Sequence, residues 1–375
     1  MADENMRFFN KSQICFASFT INRSEMRISM KKICFYDIKS YDEKYFEMLK
    51  NKYDFENIYL DCKLNKKTAV LAEGCDAIVA FVNDTIDSEV LDILYDLKIR
   101  VIAMRCSGYN NVDFKNAYNR VHVLRVPFYS PYAIAEHTIG MLLTLNRKLH
   151  RAYNRVREYN FSLNGLLGYD LYGKTVGVVG TGMIGRTFIN ICNGFGMRVL
   201  AYDPYKVKGL EGQYVELDDI WRQSDFISLH CPLTKESYHL INKNNIKKMK
   251  KNAIIVNTSR GALIDSEDLV EALKKEMIAE AALDVYEEES EFFFEDYSDK
   301  VMKDDILVRL ISMPNVLITS HQAYFTHEAL LKIAETTYEN LQAFFNEEFL
   351  ENEVCYKCIN GKTGECKRND KQRCF

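Results

Sequence analysis

Residues 175–185 read TVGVVGTGMIG, and this stretch decides the fold. An apolar run typical of a buried strand leads directly into Gly180, Gly182 and Gly185 and then into a helical pattern. Glycines at this spacing allow a tight turn and let backbone N–H groups approach a pyrophosphate at the helix N-terminus. Asp203 ends the next predicted strand, where a carboxylate accepts from a ribose 2′-hydroxyl and repels a 2′-phosphate. The stretch therefore predicts a Rossmann domain that binds NAD rather than NADP.

Short apolar runs alternate with helical patterns on both sides of this stretch. We predict a first series of strands at 33–37, 77–82, 101–104 and 121–126, and a second at 176–179, 199–202, 226–229, 253–257, 281–284 and 316–319. Continuous apolar strands that alternate with helices indicate parallel sheets covered on both faces. The predicted fold class is α/β, with two doubly wound parallel-sheet domains, the second a Rossmann domain inserted into the first.

The pattern divides the chain into four parts. We predict an N-terminal extension at 1–30, a discontinuous substrate domain at 31–129 and 323–350, an NAD-binding domain at 130–322 and a Cys-rich tail at 351–375. A helix predicted over 326–345 packs back on the first domain, so that two crossings form a hinge. The acidic, aromatic run 287–297 is interpreted as a surface insertion with functional residues at its start.

One predicted helix, Pro131–Arg157, follows Ser130 as its N-cap and carries apolar residues around much of its circumference. Such a helix is expected to be buried, either in the core or against a second subunit. We therefore expect a homodimer or a higher homo-oligomer.

Composition excludes several classes of function. The net charge of −4 gives no basic field, which excludes nucleic acid as an expected partner. No apolar run has the length of a membrane span, and the first thirty residues lack the apolar core of a signal peptide. Their basic residues leave an organelle transit segment as an alternative to a loose extension, but Asp3, Glu4 and Glu25 argue against it.

The 11 cysteines indicate a reducing compartment, because their count is uneven and no secretory signal precedes them. The expected location is the cytoplasm. Four of them crowd into the polar tail: Cys355, Cys358, Cys366 and Cys374. They could supply four thiolates for zinc, but their spacing matches no zinc signature, so we expect an exposed, reduced tail and no metal.

Three side chains with complementary chemistry follow three successive strands of the second series. Arg260 follows strand 253–257, Glu289 follows strand 281–284, and His321 follows strand 316–319. All three are expected on the carboxyl rim of the sheet, where open α/β sheets bind ligands. A guanidinium suits a carboxylate, and a histidine backed by a carboxylate is a proton shuttle near neutral pH. We therefore predict a site that binds an anion and transfers a proton.

With these motifs in order, the sequence resembles the D-isomer-specific 2-hydroxyacid dehydrogenases from about Lys31 to Val354, and most closely their fermentative lactate-type branch. The resemblance is carried by MRCSGYNNVD at 104–113, RVPFYSP at 125–131, residues 177–185, SLHCPLT at 228–234, and residues 257–261, 283–289 and 320–326. Two positions depart from the common family pattern: Ser320 replaces a proline before the histidine, and Met183 stands where a histidine or lysine is common.

The resemblance implies catalytic roles for Arg260, Glu289 and His321: Arg260 binds the substrate carboxylate, and His321, held by Glu289, exchanges a proton with the substrate oxygen. Ser107 and Gly108 would offer backbone N–H groups to the same carboxylate, and Tyr129 would close the pocket near the substrate's methyl group. The implied cofactor contacts are Gly180, Gly182, Met183, Ile184, Gly185, Asp203, His230, Cys231, Pro232, Thr258, Ser259, Arg260 and Asp284, the last accepting from the nicotinamide carboxamide.

The resemblance also implies an activity, the reversible NADH-dependent reduction of pyruvate to D-lactate. Two alternatives stay open. The substrate can be a larger 2-keto acid, because Phe128 and Tyr129 could shape either pocket. The chain can instead be an NAD-responsive corepressor-like binding protein, since such relatives retain the same three residues.

Overall fold

The computed structural model describes residues 30–289, 292–359 and 371–375, and the chain folds there around two sheets. The first sheet contains β1 (Lys31–Phe35), β2 (Phe55–Tyr59), β3 (Ala77–Ala80), β4 (Val101–Met104), β5 (His122–Leu124) and β13 (Glu353–Val354). Its strand order is β2-β1-β3-β4-β5-β13, and only the short β13 pairs antiparallel with its neighbour. The first five strands thus have the flavodoxin-like order of doubly wound folds.

The second sheet is entirely parallel. It contains β6 (Thr175–Val179), β7 (Arg198–Tyr202), β8 (Gln213–Tyr214), β9 (Phe226–Leu229), β10 (Ile254–Asn257), β11 (Glu280–Leu283) and β12 (Val316–Ile318). The order β8-β7-β6-β9-β10-β11-β12 reverses direction between β6 and β9, which is the switch point where Rossmann domains bind ligands. The predicted fold class, with two parallel-sheet domains and a Rossmann domain as the second, is confirmed.

Helices cover both sheets. They are α1 (Ser40–Tyr53), α2 (Ser88–Asp96), α3 (Phe114–Ala117), α4 (Pro131–Asn146), α5 (Leu149–Arg157), α6 (Met183–Gly194), α7 (Leu217–Gln223), α8 (Lys243–Ile246), α9 (Ser266–Lys274), α10 (Asp305–Ser312), α11 (His327–Phe345) and α12 (Tyr356–Ile359). Among the described residues, no helix is both long and apolar enough to cross a membrane.

Strands β2, β8 and β13 were not predicted from the sequence. β2 carries Glu56 and Asn57 and is mostly half-buried, so it lacks the continuous apolar run of the other strands. β8 and β13 have only two residues each, which is too short for any periodicity. The ten predicted strands all form, with ends that differ from the prediction by at most two residues.

The prediction of one long helix over Pro131–Arg157 is wrong, because the helix is interrupted between Asn146 and Leu149 and forms α4 and α5. Lys148 adopts a left-handed conformation with φ 55°, and its ammonium contacts both the carbonyl of Leu145 and the carboxylate of Glu280. α4 is buried against α6 and the second sheet, whereas α5 has no buried residue. The apolar surface of α4 is therefore covered within the chain itself.

The last long helix returns to the first domain, as predicted. Thr326 caps α11 by accepting from the N–H of Ala329 at 3.2 Å. α11 packs on α1 and β4, and its buried Ala334 and Tyr338 lie in the core that contains β1. The chain therefore crosses between the two sheets twice, while the exact domain boundaries given above stay a prediction.

The expectation of an exposed tail is wrong for its described part. Cys355 and Cys374 are buried and pack with Tyr118 and Phe375. The Phe375 ring stacks on His122 with centroids 4.1 Å apart, and the N–H of Cys374 donates to Glu353. Cys366 and the N-terminal extension up to residue 29 lie outside the described residues, and among the described ones no cluster suited to a metal occurs.

Candidate active site

The loops that follow the strands of both sheets face a common cavity of about 340 Å³. The first domain contributes the segments after β3 and β4, and the second contributes the segments after β10, β11 and β12. Arg260, Glu289 and His321 all line this cavity. Three residues that lie up to 61 positions apart in the sequence, from 260 to 321, therefore meet in one place.

His321 is held on both its backbone and its ring. Its N–H donates to the carbonyl of Asp284 at 2.7 Å, and its backbone is left-handed with φ 55°. Nδ1 of the ring lies 2.9 Å from Oε1 of Glu289, and the second oxygen of Glu289 accepts from the N–H of Tyr286 at 3.0 Å. With Nδ1 committed to the carboxylate, Nε2 is the ring nitrogen that remains for a substrate.

The carboxylate of Asp284 supports the loop that carries His321. It is fully buried and accepts from the N–H groups of Gln322 and Ala323, both at 2.9 Å, and from the hydroxyl of Thr319. Burial raises the pKa of Asp284, but hydrogen bonds from His137, Thr319 and Ala323, together with the nearby His321, hold that pKa below its ordinary value. Because the chain itself occupies these oxygens, the implied contact with a carboxamide would have to share them and stays a prediction.

Arg260 reaches the cavity beside the first domain. Its Nη1 donates to the carbonyl of Ser259 at 2.7 Å, and its Nη2 would lie 3.6 Å from a Cβ placed on Gly108. Gly108 therefore lies next to the guanidinium, and Ser107 lines the same cavity. Burial raises the pKa of the nearby Tyr129 to about 12, although Arg260 opposes the shift, so the phenol stays neutral at physiological pH.

The glycine-rich loop has the geometry of a dinucleotide cradle. Gly180 has φ 99°, and a Cβ there would lie 2.6 Å from the N of Cys231. A Cβ on Gly185 would lie 2.0 Å from the carbonyl oxygen of Gly180, so helix and loop approach closely. A Cβ on Gly182 would meet nothing within 4 Å, which leaves open space at the N-terminus of α6. These residues fit a pyrophosphate that is bound by backbone N–H groups.

Asp203 lies at the end of β7, next to this loop. Its Oδ2 accepts from the N–H and the hydroxyl of Thr181 at 2.7 and 3.1 Å, and its Oδ1 accepts from the N–H of Tyr205. The fixed carboxylate stands where an adenosine ribose would lie in a Rossmann domain.

A second cavity of about 100 Å³ adjoins the first and extends toward the glycine-rich loop. The two cavities share Ser107, Tyr129, Arg260, His321 and Tyr324, and Ile184, His230, Thr258 and Ser259 line only the second. Burial lowers the pKa of His230 to about 3, so its ring is neutral at physiological pH. Met183, Cys231 and Pro232, which were also predicted to contact the cofactor, line neither cavity.

Sequence reasoning missed the aromatic side chains of the site. Phe81, Phe294 and Tyr324 line the larger cavity, and Phe294 packs on both Phe81 and His321. The interpretation of residues 287–297 as a surface insertion is therefore wrong for Phe293, which is buried, and for Phe294. The three consecutive phenylalanines at 292–294 were the sequence feature that could have indicated burial of this run.

Comparison with known proteins supports the same assignment. Residues 139–323 match the family described as "D-isomer specific 2-hydroxyacid dehydrogenase, NAD binding domain". The chain is 51% identical to a 2-hydroxyacid dehydrogenase homolog of Haemophilus influenzae and 49% identical to a D-lactate dehydrogenase of Escherichia coli. Each match covers 86% of this chain and 99% of the relative.

A solved structure from a study of the pyruvate reductase of Chlamydomonas reinhardtii superposes with a TM-score of 0.83 at 39% identity, covering 87% of this chain and 99% of the other. The predicted cofactor, NAD, is confirmed by the family match over the Rossmann domain.

Proposed function

Because the chain belongs to the D-isomer-specific 2-hydroxyacid dehydrogenases, we propose that it reduces pyruvate to D-lactate with NADH, in a reversible reaction. The observation that carries the proposal is the pair of His321 and Glu289, which faces the same cavity as Arg260. A 2-keto acid carries its carboxylate next to its carbonyl group. Its reduction therefore requires an anion-binding group and a proton donor that lie close together in the same cavity.

The residues divide the work as follows. The planar guanidinium of Arg260 would bind the substrate carboxylate, and Ser107 and Gly108 would offer backbone N–H groups to the same anion. When bound, NADH supplies the hydride that the carbonyl carbon accepts. His321 would hold a proton at Nε2 and donate it to the substrate oxygen, while Glu289 stabilises the imidazolium and fixes the tautomer.

A larger 2-keto acid is the second candidate substrate. The cavity of about 340 Å³ falls within the range of roughly 300–1,000 Å³ that is typical of sites for drug-sized ligands, and pyruvate is much smaller than these. Aromatic side chains wall the cavity, and such a wall suits an apolar substrate chain as well as a methyl group. A panel of 2-keto acids of increasing length, assayed at equal concentration through the absorbance of NADH, distinguishes the two candidates.

The decisive experiment replaces the anion-binding group. Arg260→Lys is expected to raise the KM for pyruvate about 100-fold, because an ammonium does not reproduce the bidentate fork, and to change the Kd of NADH less than threefold. Arg222→Lys, at an exposed arginine of α7, serves as the matched control. A KM for pyruvate that is the same in Arg260→Lys as in the wild type contradicts the proposal. So does the finding that none of the 2-keto acids tested supports NADH oxidation by the wild type. Chiral analysis of the product tests the D configuration.

We also propose that the chain forms a homo-oligomer through α5 and the segment that follows it. Large apolar side chains are exposed along this stretch: Leu149, Tyr153, Val156, Tyr159, Phe161, Leu163, Leu167, Tyr169 and Tyr172. Soluble monomers rarely expose large apolar surfaces, so we infer that a second copy of the chain covers these side chains. Light scattering is expected to give at least the dimer mass for the wild type and the monomer mass for Leu163→Asp. A monomeric wild type refutes the proposal.

We propose the cytoplasm as the compartment. The support is chemical: Cys34, Cys75, Cys106 and Cys192 are buried thiols in the two domains, as expected where thiols stay reduced. Fractionation of cells with an antibody to the chain tests it, and recovery in an organelle would refute it.

A further inference from the structure

Residues 292–295 contact both the second domain and the first. The N–H groups of Phe292 and Phe293 donate to the carbonyl of Glu289 at 3.1 and 2.9 Å, so this segment is tied to the residue that holds His321. Phe293 is buried in the core of the second domain. From this anchor the next two residues, Phe294 and Glu295, extend toward the first domain.

Phe294 contacts both domains at the cavity. Its ring packs edge-on against Phe81 of the first domain, with centroids 5.4 Å apart, and lies 5.9 Å from the ring of His321. It packs against the buried cores of both domains, and it has φ 70°, a left-handed conformation that a phenylalanine rarely adopts. Such a conformation persists only where the surrounding contacts impose it.

Glu295, the next residue, forms ion pairs with two lysines of the first domain. Its Oε1 lies 3.3 Å from the ammonium of Lys63 and 3.6 Å from that of Lys39. The two lysines hold the pKa of Glu295 below its ordinary value, although burial opposes them. All three side chains are about one quarter to one third exposed, so the pairs are partly shielded from solvent.

We propose that residues 292–295 form a latch, in which Glu295 binds Lys39 and Lys63 across the cleft and Phe294 closes the cavity against Phe81 and the ring of His321. This inference rests on the proposed function, since it assigns the latch to the same cavity. Phe294 and Glu295 are positioning residues, because they act through His321 and through the closed arrangement of the two domains. The latch makes binding of the keto acid depend on ionic strength, as salt screens pairs of this exposure.

The test compares two carboxylates of equal exposure. Glu295→Gln removes the charge that crosses the cleft. Glu335→Gln is the matched control, because Glu335 is also held by two lysines, Lys52 and Lys332, and is 31% exposed against 33% for Glu295. Both lysines of the control lie on α1 and α11, within the first domain.

At low ionic strength, Glu295→Gln is expected to raise the KM for pyruvate at least threefold above that of Glu335→Gln, with the Kd of NADH unchanged. Added KCl is expected to raise the KM of the wild type more steeply than that of Glu295→Gln, because screening of the substrate carboxylate from Arg260 is common to both proteins and loss of the Glu295 pairs is not. A smaller difference between the two variants, or equal salt dependence in wild type and Glu295→Gln, overturns the latch.

A second measurement does not require activity. Hydrogen exchange of the peptides that contain Phe81 and Phe294 is expected to become faster in Glu295→Gln and to stay unchanged in Glu335→Gln. Equal exchange in the two variants also overturns the latch. If the wild type reduces no 2-keto acid, the proposed function is refuted. The hydrogen-exchange comparison still tests whether Glu295 holds residues 292–295 against the first domain, because it does not depend on activity.

Discussion

Gly261 offers the sharpest test of how the active-site residues are positioned. It follows Arg260 directly and lies against the backbone of the segment that leads to Glu289. A Cβ on Gly261 would lie 2.0 Å from the carbonyl carbon of Tyr286, 2.1 Å from its oxygen and 2.4 Å from the N of Glu287. Non-bonded carbon atoms pack at about 3.5–4.0 Å, so Gly261→Ala must separate the two segments by roughly 1.5 Å.

That separation moves Arg260 away from the pair formed by Glu289 and His321. A displacement of about 1 Å costs on the order of 100-fold in rate when a reaction depends on alignment, and 100-fold corresponds to about 2.7 kcal/mol of transition-state stabilisation. We therefore expect kcat/KM for pyruvate to fall by about 100-fold or more in Gly261→Ala. NADH binding is expected to weaken much less than kcat/KM falls, because the glycine-rich loop and Asp203 follow β6 and β7 and only Thr258 and Ser259 adjoin the displaced segment.

Steady-state kinetics measures the first quantity and fluorescence titration the second. The matched control is Gly194→Ala, at the far end of α6, where an added Cβ meets nothing within 4 Å. This control is expected to keep full activity. Activity of Gly261→Ala within threefold of wild type would refute the reasoning, because the catalytic geometry would then tolerate separation of the two segments.

Further predictions concern pH, cofactor choice and the tail. Burial lowers the pKa of His230 to about 3, so the unfolded chain binds a proton near pH 6.5 that the folded chain does not. The contribution of His230 to the free energy of unfolding is therefore fully present above pH 6.5 and falls as the pH drops, by up to about 2 kcal/mol at pH 5. In urea unfolding, His230→Asn should lose less stability than the wild type between pH 7 and pH 5. An equal loss in the two proteins contradicts a lowered pKa of His230. Asp203→Ser is expected to weaken NADH binding roughly 10- to 150-fold, through loss of a charged hydrogen bond of about 1.5–3 kcal/mol, and to strengthen NADPH binding. NADPH binding that does not improve contradicts this. Deletion of residues 371–375 removes the ring of Phe375 from His122 and should lower Tm by roughly 2–6 °C in calorimetry, whereas an unchanged Tm would show that the tail adds no stability.

The sequence predicted the strands of the second sheet better than those of the first. Strands buried on both faces, such as β6 and β10, read as continuous apolar runs and were found within two residues of their ends. The half-buried β2 has no such run, and its membership in the sheet depends on pairing with β1. The break at Lys148 was likewise invisible, because it is stabilised by Glu280, which lies 132 positions away.

The sequence by itself determined the family of the protein and the position of its candidate site. Motif spacing located the glycine-rich loop, Asp203 and the strand ends that carry Arg260, Glu289 and His321, because strand ends on one rim of a parallel sheet can be located from local patterns. Only the tertiary structure decided what surrounds them: the support of His321 by Asp284, the approach of Gly261 to Tyr286, and the turn that brings Phe294 to Phe81. These contacts join segments that are distant in the chain, and such contacts leave no periodic trace in a sequence, since each depends on how two elements pack rather than on either element alone.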